Sequence, residues 1–197
     1  ESGGLSPSRE TILRCLEIFE LPLKVMVRPR LGNYVYSEKE LTCMETEIDS
    51  LKKLPITGIV LGVLYDDRSI NLEAVQRLSE RADPLPVTFH KAIDETRDPL
   101  QEMKKLSRIQ NIQSILSSGG AQNAETGAKM LKTMQQEFQS RFRMIAAGSI
   151  TSENLLSLHH KIEFFEYHGR KIVGDLAHHH TQPETHSSEL DNPNSSF

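Results

Sequence analysis

Six short runs of apolar and β-branched residues recur along the chain, and helix-like segments fill every gap between them. The runs are LKVMVR at 23–28, TGIVLG at 57–62, LPVTFH at 85–90, IQSILS at 112–117, FRMIAA at 142–147 and EFFEYH at 163–168. They begin roughly 20–35 residues apart, the span of one βα unit. In the segment SEKELTCMETEIDSLKKL, Leu41, Met44, Ile48 and Leu51 recur at three- and four-residue steps, the period of a helix with one buried face. PSRETILRCLEIFE precedes the first run, and NLEAVQRLSERA, DPLQEMKKLSRI, AETGAKMLKTMQQEF and TSENLLSLHHK fill the later gaps. Helix starts are marked by Ser37 ahead of Glu40, by Asn71, by Asp98 and by Thr151 ahead of Asn154, residues whose short polar side chains cap free backbone N–H groups. Strands this apolar belong to a parallel sheet covered by helices. That leaves a TIM-type barrel or a doubly wound sheet, and periodicity does not choose between them. No Gly-x-Gly-x-x-Gly follows the first run, which counts against a dinucleotide-binding sheet.

The 197 residues suit one domain, since domains run to about 50–250 residues. Residues 1–177 carry the α/β pattern. Residues 178–197, HHHTQPETHSSELDNPNSSF, are too polar to offset their ordering entropy, so a disordered tail is expected there. That tail also lowers the apolar fraction, which is 37%. Its histidines at 178, 179, 180 and 186 belong to no regular element, so only adventitious metal binding is expected of them. The net charge of −4, from 23 basic and 27 acidic residues, argues against a nucleic-acid surface. No run of about 18 apolar residues signals a membrane helix, and no signal-peptide pattern is visible in ESGGLSPSRE. The chain lacks an initiating Met, so a processed chain, a fragment or a partial gene product is expected. Cys15 and Cys43 lie in separate helical segments without Cys-x-x-Cys spacing; two reduced thiols in a cytoplasmic protein are expected.

Chemistry gathers where strands end, because loops and helix N-termini meet there in parallel α/β folds. The stretch TFHKAID places His90, Lys91 and Asp94 just past the third run. His90 titrates near neutrality and suits acid, base or ligand roles. Asp94 would orient it, serve as a second acid/base, or cap the turn; the plainer alternative is a His–Asp pair that only stabilises the strand end. Arg28 and Arg30 flank a proline that fixes their path, and a guanidinium binds carboxylate or phosphate in a fork. The alternative is that one arginine pairs with an internal acid. The turns SSGG, with Ser118 and Gly119, and AAGSI, with Gly148 and Ser149, offer backbone N–H groups for an anion, or simply make tight βα turns. His168 ends the last run. Met26, Met44 and Met144 are scattered and read as core filler.

Together these strings resemble the CutC copper-homeostasis family: SGGLSPS, VMVRPRLGNYVYSEKE, GIVLGVL, PLPVTFHKAID, ILSSGG, IAAGSIT with EN, and FEYHG, collinear over about residues 1–170. The resemblance implies a TIM barrel and a cytoplasmic protein that binds or handles copper. It also implies that SGGLSPS follows the family's second strand, so this chain would hold strands three to eight of eight. The cysteines proposed as copper ligands in the family would lie on the two missing strands, and Cys15 and Cys43 do not match them, so no metal ligand is assigned. Where the family usually has Gly-Gly-Asp, this chain has Leu31, Gly32 and Asn33, which puts an acid role there in doubt. Its IAAGSI turn is also less glycine-rich than the family's, which narrows backbone approach around Ser149. Two exposed sheet edges would favour homo-oligomers or low solubility.

Two functions follow as expectations. One is copper homeostasis, by resemblance. The other is a barrel enzyme for a small phosphate or carboxylate, with His90 as acid/base beside Asp94, Arg28 and Arg30 as clamps, and Lys91, Ser118, Gly119, Gly148, Ser149 and His168 as ligand contacts. Isomerisation, lyase chemistry and hydrolysis stay open. A barrel that only binds, through its open edges, is a third reading.

Overall fold

The computed structural model describes residues 4–164 and 166–173; the expected tail falls outside them. Six strands form one sheet: β1 (Lys24–Met26), β2 (Gly58–Leu61), β3 (Val87–Phe89), β4 (Ile112–Ser117), β5 (Arg143–Ala147) and β6 (Glu166–His168). Every neighbouring pair is parallel and the spatial order is the chain order. That order decides the architecture, because a doubly wound sheet reverses at a switch point. The fold is a partial (β/α) barrel of TIM type, with β1 and β6 as its two edges.

Helices α1 (Arg9–Ile18), α2 (Glu38–Leu51), α3 (Leu72–Ala82), α4 (Pro99–Leu106), α5 (Ala128–Phe138) and α6 (Leu155–Ile162) lie outside the sheet, with a short 3-10 helix at Lys91–Glu95. Alternation along each strand divides the side chains between two faces. Val25, Ile59, Leu61, Phe89 and Ile115 are buried in the layer that includes Leu41, Met44, Leu78 and Met103. Lys24, Met26, Val60, Thr88, Leu116, Ile145 and Glu166 face the interior cavity. No helix among the described residues is long and apolar enough to cross a membrane.

Most start signals hold. Ser37 and Glu40 form a reciprocal capping box on α2, Asn71 caps α3, and Asp98 caps α4 with Pro99 in its first turn. Two starts differ from expectation. The helix expected from Thr151 begins at Leu155. Asn154 instead folds its side chain back, accepting from the Thr151 N–H and donating to the Ser149 carbonyl, both at 2.9 Å. The helix expected from 124 begins at Ala128, after Gly127. A Cβ on Gly127 would lie 1.8 Å from the Ser118 carbonyl oxygen, so this residue must meet the loop after β4 before the helix can start.

Candidate functional site

A cavity of about 830 Å³ opens on the interior face of the sheet. Its belt is apolar, from Met26, Val60, Leu116, Ile145 and Ala147. Its polar wall is Arg28, Tyr34, His90, Lys91 and His168 near the strand ends, with Lys24, Thr88 and Glu166 deeper. The strand ends therefore bring Arg28, His90, Lys91, Gly148 and His168 to one cavity. Arg30, Asp94, Ser118, Gly119 and Ser149 do not line it.

His90 is 4% exposed and forms the N-cap of the 3-10 helix. Its backbone N–H continues the ladder to the Leu61 carbonyl at 2.9 Å, and its Nδ1 accepts from the Ala92 N–H at 3.2 Å. A nitrogen that accepts carries no proton, so the neutral ring bears its proton on Nε2. That Nε2 is buried without a protein hydrogen-bond partner. Tyr34 packs on the ring at 4.7 Å between centroids. Gly62 makes room for it, since a Cβ there would lie 2.6 Å from both Cε1 and Nδ1. Burial, and then the Arg28 charge, lower the His90 pKa to about 3. His90 is thus a fixed neutral donor rather than a base near neutral pH.

Asp94 does not orient His90. Its carboxylate accepts from Ser117 Oγ (2.5 Å), Ser118 N–H (2.8 Å), Ser118 Oγ (2.9 Å) and Gly120 N–H (2.9 Å), and Lys91 Nζ stands 3.7 Å away. The Gly119 N–H donates to Ser117 Oγ at 2.8 Å. The SSGG turn is an anion nest, and the anion it holds is the protein's own. The Ser118 N–H and hydroxyl and the Gly119 N–H thus bond within the protein. Gly119 has φ +74, and a Cβ there would lie 2.4 Å from the Gly127 carbonyl oxygen.

The two arginines part company. Arg30 donates through Nε to Glu40 (2.5 Å) and through its other nitrogens to the carbonyls of Leu31, Asn33 and Val35 and to Asn33 Oδ1. It is the arginine consumed by an internal acid. Its bonds to Asn33 also give that amide a place, as a prop for the loop. Arg28 lines the cavity, with its guanidinium over the Tyr34 ring at 4.7 Å and one nitrogen donating to the Gly32 carbonyl at 2.9 Å.

Gly148 has φ +108 and touches the cavity. Ser149, at φ +54, is exposed and turns the chain away. His168 lies on the exposed side of the cavity wall, and its pKa falls below the ordinary value through desolvation and the Lys91 charge. Sequence reasoning missed Tyr34, Lys24, Thr88 and Glu166. Lys24 donates to Thr88 Oγ1 at 3.3 Å. Strand alternation was the available signal: Lys24 and Met26 share a face, as do Thr88 and His90. Tyr34 sits in a loop and had none. Cys15 lies half-buried on α1 and Cys43 exposed on α2; neither lines the cavity.

Sequential parallel strands, outer helices and a polar cavity at the strand ends define a (β/α) barrel-type protein with a small-molecule-sized interior site. The family model that matches, the CutC family, covers residues 1–173. The chain belongs to the CutC family. It is 33% identical over 166 residues to a CutC family protein of Mesorhizobium japonicum, covering 84% of this chain and 64% of that one. It is 34% identical over 148 residues to a CutC family protein of Edwardsiella ictaluri, covering 75% and 59%. The chain thus spans about three-fifths of the length of these curated relatives. The crystal structure of a Streptococcus agalactiae protein described as the copper homeostasis protein CutC superimposes with a TM-score of 0.80 at 28% identity, covering 87% of this chain and 84% of that one.

Proposed function

We propose that this chain serves copper homeostasis, the role by which the Streptococcus agalactiae relative is described. We propose further that its own residues act by binding a small anionic molecule in the cavity, not by caging the metal. Cuprous ion favours thiolate and thioether ligands. The cavity wall offers one sulfur, that of Met26, beside His90 and His168. No group of three or more His, Cys, Asp or Glu among the described residues is placed to hold a metal ion. Arg28 and Lys91 on the same wall repel a cation. These residues do not fit copper.

They do fit an oxyanion that also carries an uncharged oxygen. Arg28 and Lys91 supply charge. His90 supplies a neutral N–H that costs no proton uptake to use, and a preorganised donor of this kind stabilises charge developing on a bound oxygen. His168, with its lowered pKa, is the group on the wall suited to accept a proton at neutral pH. The observation that carries the reading is His90 Nε2, buried and unpartnered beside Arg28 and Tyr34.

Calorimetric titration with inorganic phosphate and with pyruvate tests it, alongside a cuprous titration against a competing chelator under reducing conditions. The expected result is saturable anion binding that Arg28→Ala weakens, with cuprous affinity no greater than that of a free thiol. A cuprous site that outcompetes the chelator, with anion binding indifferent to Arg28→Ala, would reverse the assignment.

A further inference from the structure

The segment ahead of α1 runs beside the end of β1, and one of its residues grips the cavity arginine. The Ser6 N–H donates to the Arg28 carbonyl at 3.1 Å. The Arg28 N–H donates to Ser6 Oγ at 2.9 Å. Ser6 thus holds the Arg28 backbone from both sides, at the edge strand where no further strand among the described residues pairs with it. The Ser6 hydroxyl in turn donates to Glu47 Oε2 on α2 at 2.9 Å.

Glu47 is an odd residue for its place. It sits half-buried in a cleft shared with Ile12, Leu51 and Leu54, and burial raises its pKa, with the Ser6 bond opposing. Arg9 is the charged side chain of the same cleft. A carboxylate held there loses hydration. What it gains is direction. A Ser6 hydroxyl whose proton points at a carboxylate must turn a lone pair toward the Arg28 N–H.

We propose that Glu47 and Ser6 form a positioning relay that fixes Arg28 in the cavity wall. The relay crosses from the outer helical layer to the ligand face, and it rests on the reading of Arg28 as the anion contact. The same segment supplies Gly4 to the wall, where a Cβ would lie 3.9 Å from an Arg28 guanidinium nitrogen. A shift of Ser6 therefore moves both the arginine and the edge of its cavity.

Amide hydrogen exchange of Arg28, followed by NMR in the full chain, reads the relay without any ligand. Exchange at Arg28 is expected to speed by about fivefold in Ser6→Ala, which removes the acceptor of its N–H, and in Glu47→Ala, which removes the group that orients that acceptor, with the amides of Ile59 and Phe89 unchanged. Glu47→Gln keeps an acceptor oxygen and is expected to restore protection. Inorganic phosphate affinity should weaken by about fivefold in the same two variants and recover in Glu47→Gln. Wild-type exchange at Arg28 in Glu47→Ala would overturn the relay. So would faster exchange that leaves phosphate affinity untouched. Should the wild-type chain bind neither phosphate nor pyruvate, the cavity reading fails, and the exchange measurement alone decides the relay.

Discussion

The end of β4 and the loop after β1 both offer hydrogen-bond donors at a strand end, Ser and Gly at one and Arg at the other, and the structure uses them in opposite ways. After β4, Ser117, Ser118, Gly119 and Gly120 converge on Asp94, and their donors are spent inside the protein. After β1, Arg28 faces an open cavity beside Tyr34 and a histidine whose outer nitrogen has no protein partner. Residue type does not separate a structural polar cluster from a binding one. Accounting for each donor and acceptor does, because buried polar groups are almost always satisfied and the exceptions need a reason.

The sharpest way to break this contrast is to remove Asp94. Its carboxylate is 7% exposed and takes four hydrogen bonds. Asp94→Ala leaves backbone donors of two residues without their acceptor, and a loss of about 4–5 kcal/mol is expected. Stabilities of that order match a whole small domain's margin. Urea unfolding at neutral pH measures it. A variant within about 1 kcal/mol of wild type would mean the nest is not structural, and would return Asp94 to the list of ligand groups.

His90 gives the next largest effect, and it lies on pH. Its folded pKa, about 3, is below the ordinary 6.5, so the unfolded chain binds the proton more readily. Stability tied to His90 is therefore fully present above pH 6.5 and is lost as pH falls toward 3. The loss is on the order of 4–5 kcal/mol over that window. His90→Asn should flatten the acid side of the urea-unfolding profile relative to wild type. His168 titrates in the same sense, so the difference between the two proteins isolates His90. Parallel profiles would show that the ring is reached by water or shifts on folding.

The arginine pair sharpens the comparison at the ligand. Arg28→Ala should weaken phosphate or pyruvate binding by about tenfold, the typical cost of losing a charged contact, alongside the stability cost of its bond to the Gly32 carbonyl and its contact with Tyr34. Arg30→Ala should act on stability alone. It should lose about 1–2 kcal/mol of stability, since it removes donors to Glu40 and to three backbone carbonyls, and leave affinity close to wild type. Calorimetry on both variants, with unfolding curves, settles which arginine is which. Equal losses of affinity would dissolve the distinction.

Much of this fold was legible in the sequence because strand and helix periods are local. The six apolar runs became the six strands, and Ser37, Asn71 and Asp98 capped the helices they preceded. The choice of barrel over doubly wound sheet was not local. It depends on which strands pair, and the family strings supplied it. The site was half legible. Arg28, His90, Lys91, Gly148 and His168 line one cavity because they share the strand ends of the same rim. That Asp94 bonds to the turn after β4 and not to His90 was not legible, because hydrogen bonding across 24 and 26 residues of sequence leaves no period to read. The His90 tautomer was out of reach for the same reason, since the Ala92 N–H that fixes it depends on the 3-10 turn.

The smallest expected effect concerns the thiols, and it bears on the metal. Cys43 is exposed on α2 and Cys15 half-buried on α1, both outside the cavity wall. Replacing both with Ser should change stability by about 0.5–1 kcal/mol, chiefly at the partly buried Cys15, and should leave anion affinity unchanged. The same double variant should lose the generic cuprous affinity that two free thiols confer. A double variant that still holds cuprous ion tightly after His178, His179, His180 and His186 are also replaced would place the metal on Met26, His90 and His168. Arg28 and Lys91 would then be neighbours of a cation, and bound anion should compete with copper. Adding phosphate during the cuprous titration distinguishes the two arrangements, because independent sites show no competition and a shared cavity does.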